Sequence, residues 1–156
     1  MQQPIDSRSK HYGEWVAGSS SKDCDTDALW LDTASSILYE RVNQELSSSR
    51  LIEQALSTSP PPERLTLKSE IYAFCSKTHG FLIVRVEGIA AVRFWLERNG
   101  NVVWERKIEH VVTDNDPDYS GSQVSFIEQA MRVAMADSLR LVLRDLLREI
   151  ENYGSK

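Results

Sequence analysis

Between Leu31 and Leu46 the apolar residues Leu31, Ala34, Leu38, Val42 and Leu46 recur at steps of three and four, with Ile37 beside them. That period, in an otherwise polar stretch, predicts an amphipathic helix. Its start is expected near Asp25-Thr26-Asp27, where side-chain oxygens can accept the first free N–H groups and carboxylates suit the positive end of the dipole. Ser47-Ser48-Ser49 is expected to end it. The apolar stretch Leu51 to Leu56 has no decided type. Pro60-Pro61-Pro62 removes successive backbone donors, so residues 57–62 read as a connecting loop.

The period then drops to two. Leu65, Leu67, Ser69, Ile71, Ala73 and Cys75 alternate with Thr66, Lys68, Glu70, Tyr72 and Phe74, which predicts a half-buried strand with a turn at Thr78-His79-Gly80. A second strand is expected over Phe81 to Leu96, with Leu82, Val84, Val86, Gly88, Ala90, Val92, Phe94 and Leu96 on one face. A third runs from Asn101 to Thr113, with Val102, Trp104, Ile108 and Val112 facing inward. A plain two-residue Asn99-Gly100 loop would set Phe94 against Glu105. A type I turn closed by Gly100 as a G1 bulge sets Glu97 against Asn101, Leu96 against Val102, Phe94 against Trp104 and Ala90 against Ile108. A one-residue slip exchanges the faces of the whole strand, so the bulged hairpin is expected.

After the polar loop 114–121, helical spacing returns from about Ser122 to Asn152 through Ile127, Met131, Ala134, Met135, Leu139, Val142, Leu143, Leu146 and Ile150. The expected fold is α+β: a two-layer sandwich of a three- to four-stranded antiparallel sheet covered by two helices, the C-terminal one long. Residues 26–153 form its single domain. Residues 1–25 read as a polar tail in which His11 to Ala17 can supply an edge strand.

Composition narrows the function classes. The 156 residues carry 18 basic and 23 acidic side chains, a net of −5, which speaks against a general nucleic-acid binder. Residues 1–60 hold 5 basic and 9 acidic residues, so most of that excess lies in the first 60. No stretch has the roughly 18 uncharged apolar residues of a membrane-spanning helix. Met1 to Arg8 contains no apolar run, so no export signal is read in the chain as given; it is either cytoplasmic or a mature form. The two cysteines, Cys24 and Cys75, form no C-x-x-C pair, and whether they join in a disulfide stays open.

Reactive chemistry is sparse. His11, His79 and His110 lack metal-pair spacing, and no nucleophile-elbow, phosphate-loop or dinucleotide motif is present. His110, on the face of Ile108 and Val112, reads as a packed residue; its rival role is in a small hydrolase beside an acidic neighbour. Asp114, Asp116 and Asp118 imitate the start of an EF-hand loop, but Tyr119 replaces the required Gly and Ser125 the bidentate Glu. No metal, cofactor or catalytic residue is expected.

Two groups suggest a binding surface. Arg140, Arg144 and Arg148 step by four along the last helix, with Arg132 two steps earlier, and Asp137, Asp145 and Glu151 lie within pairing distance of them. Trp30, Trp95, Trp104, Tyr72 and Phe74 are too many for one face of a three-stranded sheet. Tyr72 and Trp95 fall opposite the expected core, which marks them as candidates for a protein partner or a homodimer.

The helix rich in Leu, Ala and Ser (Trp30 to Leu46), the strand Leu-x-Leu-x-x-x-Ile-x-x-Phe (Leu65 to Phe74), the turn around Asn99-Gly100 and the Ala/Leu helix Ala130 to Ile150 form a familiar layout. It resembles the small bacterial cell-envelope lipoproteins that serve as auxiliary components of ABC-type transport systems. More loosely it is similar to the lipopolysaccharide-assembly lipoprotein and other small outer-membrane lipoproteins. The resemblance spans about residues 28–150 and offers no catalytic motif to carry over. It implies a periplasmic, outer-membrane-associated subunit without enzymatic activity, held by a lipid anchor upstream of this chain and working through a protein partner of a transport or assembly system. The alternative expectation is a cytosolic or secreted adaptor of the same form.

Overall fold

The computed structural model describes residues 1–11, 14–20, 33–48, 65–80 and 82–154. Strand β1 (Ile5–Asp6) is followed by a single 3-10 turn at Arg8–Lys10, and then by the hairpin strands β2 (Trp15–Val16) and β3 (Ser19–Ser20). Helix α1 (Ala34–Ser48) precedes three long strands, β4 (Leu65–His79), β5 (Arg85–Arg98) and β6 (Asn101–Thr113), and helix α2 (Ile127–Gly154) closes the chain. The main sheet has the order β1-β4-β5-β6, and β2-β3 form a separate two-stranded sheet. The α+β sandwich is as expected, but the sheet is mixed, because β1 pairs in parallel with β4. The edge strand is therefore Ile5–Asp6. Trp15–Val16, expected at that edge, pair instead with Ser19–Ser20.

The first helix obeys its pattern: Ala34, Leu38 and Val42 are buried, and Ile37 and Leu46 pack beside them. Thr33 caps the described helix, its Oγ1 accepting the Ser36 N–H at 3.3 Å. The start expected at Asp25, and the readings of Trp30, Leu31, Leu51 to Leu56 and the proline run, lie outside the described residues. In α2 the stripe Met131, Ala134, Met135, Leu139, Val142, Leu143 and Leu146 is buried against the sheet. Ile127, expected on that stripe, begins the helix and is half exposed.

Two bulges decide which side chains enter the core. In β4 the register shifts between Ile71 and Ala73. Leu67, Ser69 and Ile71 face the helices, and so does Phe74; Ala73 and Cys75 join a second cluster on the other face with Val16, Ile89 and Ala91. Strict alternation had set Phe74 opposite Ile71. An extra residue reverses the faces beyond it. In the β5–β6 hairpin, Asn99 (φ 51°) and Gly100 (φ 82°) are both left-handed, the signature of a two-residue type I′ turn, and Arg98 pairs with Asn101. The expected G1 bulge at the turn is thus absent. The bulge lies two residues on, between Leu96/Trp104 and Glu97/Val102. Leu96 meets Trp104, Val92 meets Ile108 and Ala90 meets His110, two residues from the expected partners but on the same faces. The second strand also begins later than expected, at Arg85, which leaves Leu82, Ile83 and Val84 in the loop before it.

Candidate functional site

Both helices cover one face of the sheet. The opposite face carries Tyr72 and Trp95, as the alternation requires, and the structure sets Arg93 between them. Its guanidinium donates from Nε and Nη2 to the two Glu105 carboxylate oxygens at 2.9 Å each, and Nη1 lies 3.7 Å from Glu70. The same group stands 5.5 Å from the centre of the Trp95 ring. Trp95 donates its indole N–H to Glu97 at 2.9 Å, and Lys68 Nζ stands 2.7 Å from the same carboxylate. Lys107 lies 5.0 Å above the Tyr72 ring, and the ring of His11 lies 4.0 Å from it. Hydrogen bonds from Arg93 hold the Glu105 carboxyl below the usual glutamate range, and those from Lys68 and Trp95 do the same for Glu97. The Glu105 bonds raise the Arg93 pKa, keeping it charged. The candidate surface is thus two half-buried aromatic rings held in a lattice of alternating charges, not a bare apolar patch.

Part of this face is closed by the β2–β3 hairpin. Val16 packs on Ala73, Cys75, Ile89 and Ala91, while Trp15, its neighbour, is 72% exposed on the outer side. Ser19 bonds to Glu87, Lys77 Nζ donates to Ser19 Oγ at 2.6 Å, and Lys77 and Glu87 are 3.2 Å apart. The lysine is ion-paired, so this Ser–Lys–Glu group ties the hairpin to β4 and β5. Cys75 is disulfide-bonded; Cys24, the other cysteine of the chain, lies outside the described residues.

The arginine stripe lies on the outer side of α2, across the sheet from Tyr72 and Trp95, so the two candidate groups do not form one site. Arg140 reaches Asp137 at 3.3 Å and donates to the Asp118 carbonyl at 2.8 Å. Arg144 stands 3.7 Å from Asp118 and from Asp145, and Arg148 3.7 Å from Asp145. Asp137 is buried and also accepts the Ser120 N–H at 2.7 Å. The stripe therefore fastens the 114–121 loop to the helix. In that loop the three aspartates turn to different partners: Asp114 to Arg85, Asp116 to the Thr113 N–H and hydroxyl, Asp118 to Arg144. Among the described residues no cluster could hold a metal ion.

His110 does have an acidic neighbour. Its Nε2 stands 2.8 Å from Asp145 Oδ2, at the wall of an open groove of about 340 Å³ between β6 and α2. The other groove residues are Arg106, Lys107, Ile108, Glu109, Arg148 and Glu149, with no hydroxyl or thiol to act as nucleophile. Arg106 and Glu149 pair across it at 3.3 Å. The pair joins a strand to a helix.

The alternation did not bring out Trp15 or the loop-borne Leu82 and Ile83. The uninterrupted run Leu82-Ile83-Val84 is the available signal, but it fits a strand equally well.

No family model matches the chain, and no curated protein matches it. Among solved structures it is similar to the hypothetical protein CT253 from Chlamydia trachomatis, at 12% identity and a TM-score of 0.49, over 82% of this chain and 88% of that one. It is also similar to a protein described as a "putative lipoprotein" from Caulobacter crescentus, at 20% identity and a TM-score of 0.43, over 78% and 85%. No helix among the described residues is long and apolar enough to cross a membrane.

Proposed function

We propose that the chain is a non-catalytic subunit of a bacterial cell envelope, periplasmic in location, that docks a protein partner of a transport or envelope-assembly system. The observation that carries the docking reading is the sheet face opposite the two described helices, where Arg93 joins Tyr72 and Trp95 in one ordered surface. Aromatic rings beside an arginine are the side chains that dominate protein interfaces. The disulfide at Cys75 supports the compartment, since such bonds persist where the surroundings are oxidising. The resemblance of the residue layout over about residues 28–150 to transport-associated lipoproteins supports the rest. A secreted adaptor is the second reading, favoured by the same disulfide without an anchor.

Affinity capture with Trp95→Ala and Tyr72→Ala variants tests the surface. The expected result is loss of the partner that wild type recovers, and unchanged recovery overturns this docking face. For the compartment, an export signal ending in a lipobox cysteine directly upstream of Met1 is expected in the gene. A start codon at Met1 with no such signal overturns the anchored reading.

A further inference from the structure

Five of the exposed large apolar side chains gather at one end of the sheet. Leu82 is 92% exposed, Ile83 68% and Val84 42%, in the loop from β4 to β5; Phe126 is 74% and Ile127 50% exposed where α2 begins. The two segments meet. Val84, Phe126 and Ile127 line one groove of about 270 Å³ together with Tyr119 and Val124, and Asp114, at the end of β6, donates its N–H to the Val86 carbonyl at 3.1 Å. Single exposed apolar residues are ordinary, but five contributed by two segments to one end are not.

We infer that this tip inserts into a lipid surface. Three observations select that occupant. First, the two loop side chains project together. Leu82 and Ile83 are consecutive, and both stand well out of the protein, so a flat partner covering one would leave the other in water. A fluid interface surrounds both. Second, the tip is free of charge in a chain in which 26% of residues are charged: neither Gly80 to Val84 nor the nine residues Tyr119 to Ile127 contain an ionisable acid or base other than the Tyr119 phenol. Burial of Tyr119, with Asp114 and Asp137 nearby, raises its pKa and keeps that phenol neutral. Insertion of Leu82, Ile83 and Phe126 therefore desolvates no unpaired ion, because Asp114, the one charged residue lining the groove, faces Arg85. Third, the charges at its border balance: Arg85 lies 3.5 Å from Asp114, and Arg132 pairs with Glu128 at 2.7 Å. With no basic cluster, the attraction comes from apolar burial and does not depend on anionic headgroups. This contact is separate from any anchor upstream of the chain and from the Tyr72–Trp95 face.

The test is flotation of the purified chain with phosphatidylcholine vesicles, and with the same vesicles containing phosphatidylglycerol, at low and high salt. Wild type is expected to float with both, with little change on adding salt. The double substitution Ile83→Ser with Phe126→Ser is expected to weaken binding by about tenfold or more, while Trp95→Ala leaves it unchanged. Both altered side chains are exposed, so near-UV circular dichroism of the variant should match wild type. Absence of flotation, equal flotation of the variant, or binding only to phosphatidylglycerol vesicles that salt abolishes would each overturn the inference. Self-association that the double substitution abolishes, without vesicle binding, would assign the tip to a second copy of the chain instead.

Discussion

Gly88 of β5 lies directly beneath the backbone of Ala134 in α2, so close that a Cβ on Gly88 would overlap the Ala134 carbonyl. The obstacle is main chain and cannot rotate away, so the missing side chain is what lets helix and sheet approach. Gly88→Ala is expected to lower unfolding free energy by about 3 kcal/mol, the upper part of the overpacking range. Because the clash is with backbone, adding Ala134→Gly should not rescue it. Urea denaturation of the single and double variants checks both statements.

Ser76 pairs with Gly88 across the strands, and its buried hydroxyl has no hydrogen-bond partner among the described residues; the same is true of Ser69. Removing an unpaired buried hydroxyl releases its desolvation cost. Ser76→Ala is expected to leave stability unchanged or raise it by up to about 1 kcal/mol, read as a shift in urea midpoint. A loss would reveal a hydrogen bond that the packing conceals.

The Arg93 lattice makes stability depend on pH. The carboxyls of Glu105 and Glu97 have folded pKa values below the unfolded one, which is about 4.3 for glutamate. Their contribution is complete above that value and is lost as pH falls through the lower folded values. Unfolding free energy should therefore fall on acidification below about pH 4.3, and Arg93→Met should flatten that slope. Carbon-detected NMR titration of the two carboxyls gives the midpoints directly.

His110 and Asp145 join β6 to α2 through a half-buried contact. His110→Ala is expected to cost about 1.5–3 kcal/mol, the worth of a hydrogen bond to a charged group. Wild type should hydrolyse p-nitrophenyl acetate no faster than the variant. A rate lost with His110→Ala would restore the hydrolase reading.

The disulfide at Cys75 predicts redox-dependent stability. Dithiothreitol should lower the unfolding free energy of wild type by about 2–4 kcal/mol and leave Cys75→Ser unaffected.

Much of this architecture is legible in residue spacing. The α1 stripe, the α2 stripe and the inward row Trp104, Ile108 and Val112 all emerge from period alone, because each element buries a single face. The bulges are less visible. The need for one in the β5–β6 hairpin follows from the clash of Phe94 with Glu105, but its position follows from the Asn99-Gly100 turn, which prefers the type I′ form and pushes the extra residue to Val103. At Tyr72 nothing in the alternation announces a shift, since both Ala73 and Phe74 are apolar and either can enter the core. The two-residue strand β1 is too short for any period. It is held by the Ser7 N–H and hydroxyl, both donating to the Ile71 carbonyl at 3.1 and 3.0 Å. For the candidate site, alternation placed Tyr72 and Trp95 correctly, whereas the pairing of Arg93 with Glu105 needed the register. The exposed tip was hidden because an apolar run fits a strand as well as a loop.

The parallel pairing of β1 gives the molecule a direction. Gln2 donates its N–H to the Leu67 carbonyl at 3.0 Å, so the chain enters beside the start of β4, while Leu82 and Ile83 lie just beyond its far end at His79. The twelve residue steps from Leu67 to His79 span about 40 Å at the rise of an extended strand. Whatever pulls on Met1 and whatever holds the 82–84 loop grip opposite poles of one continuous strand. The Met1 end and the 82–84 loop thus share one strand, and β4 sets the distance between them.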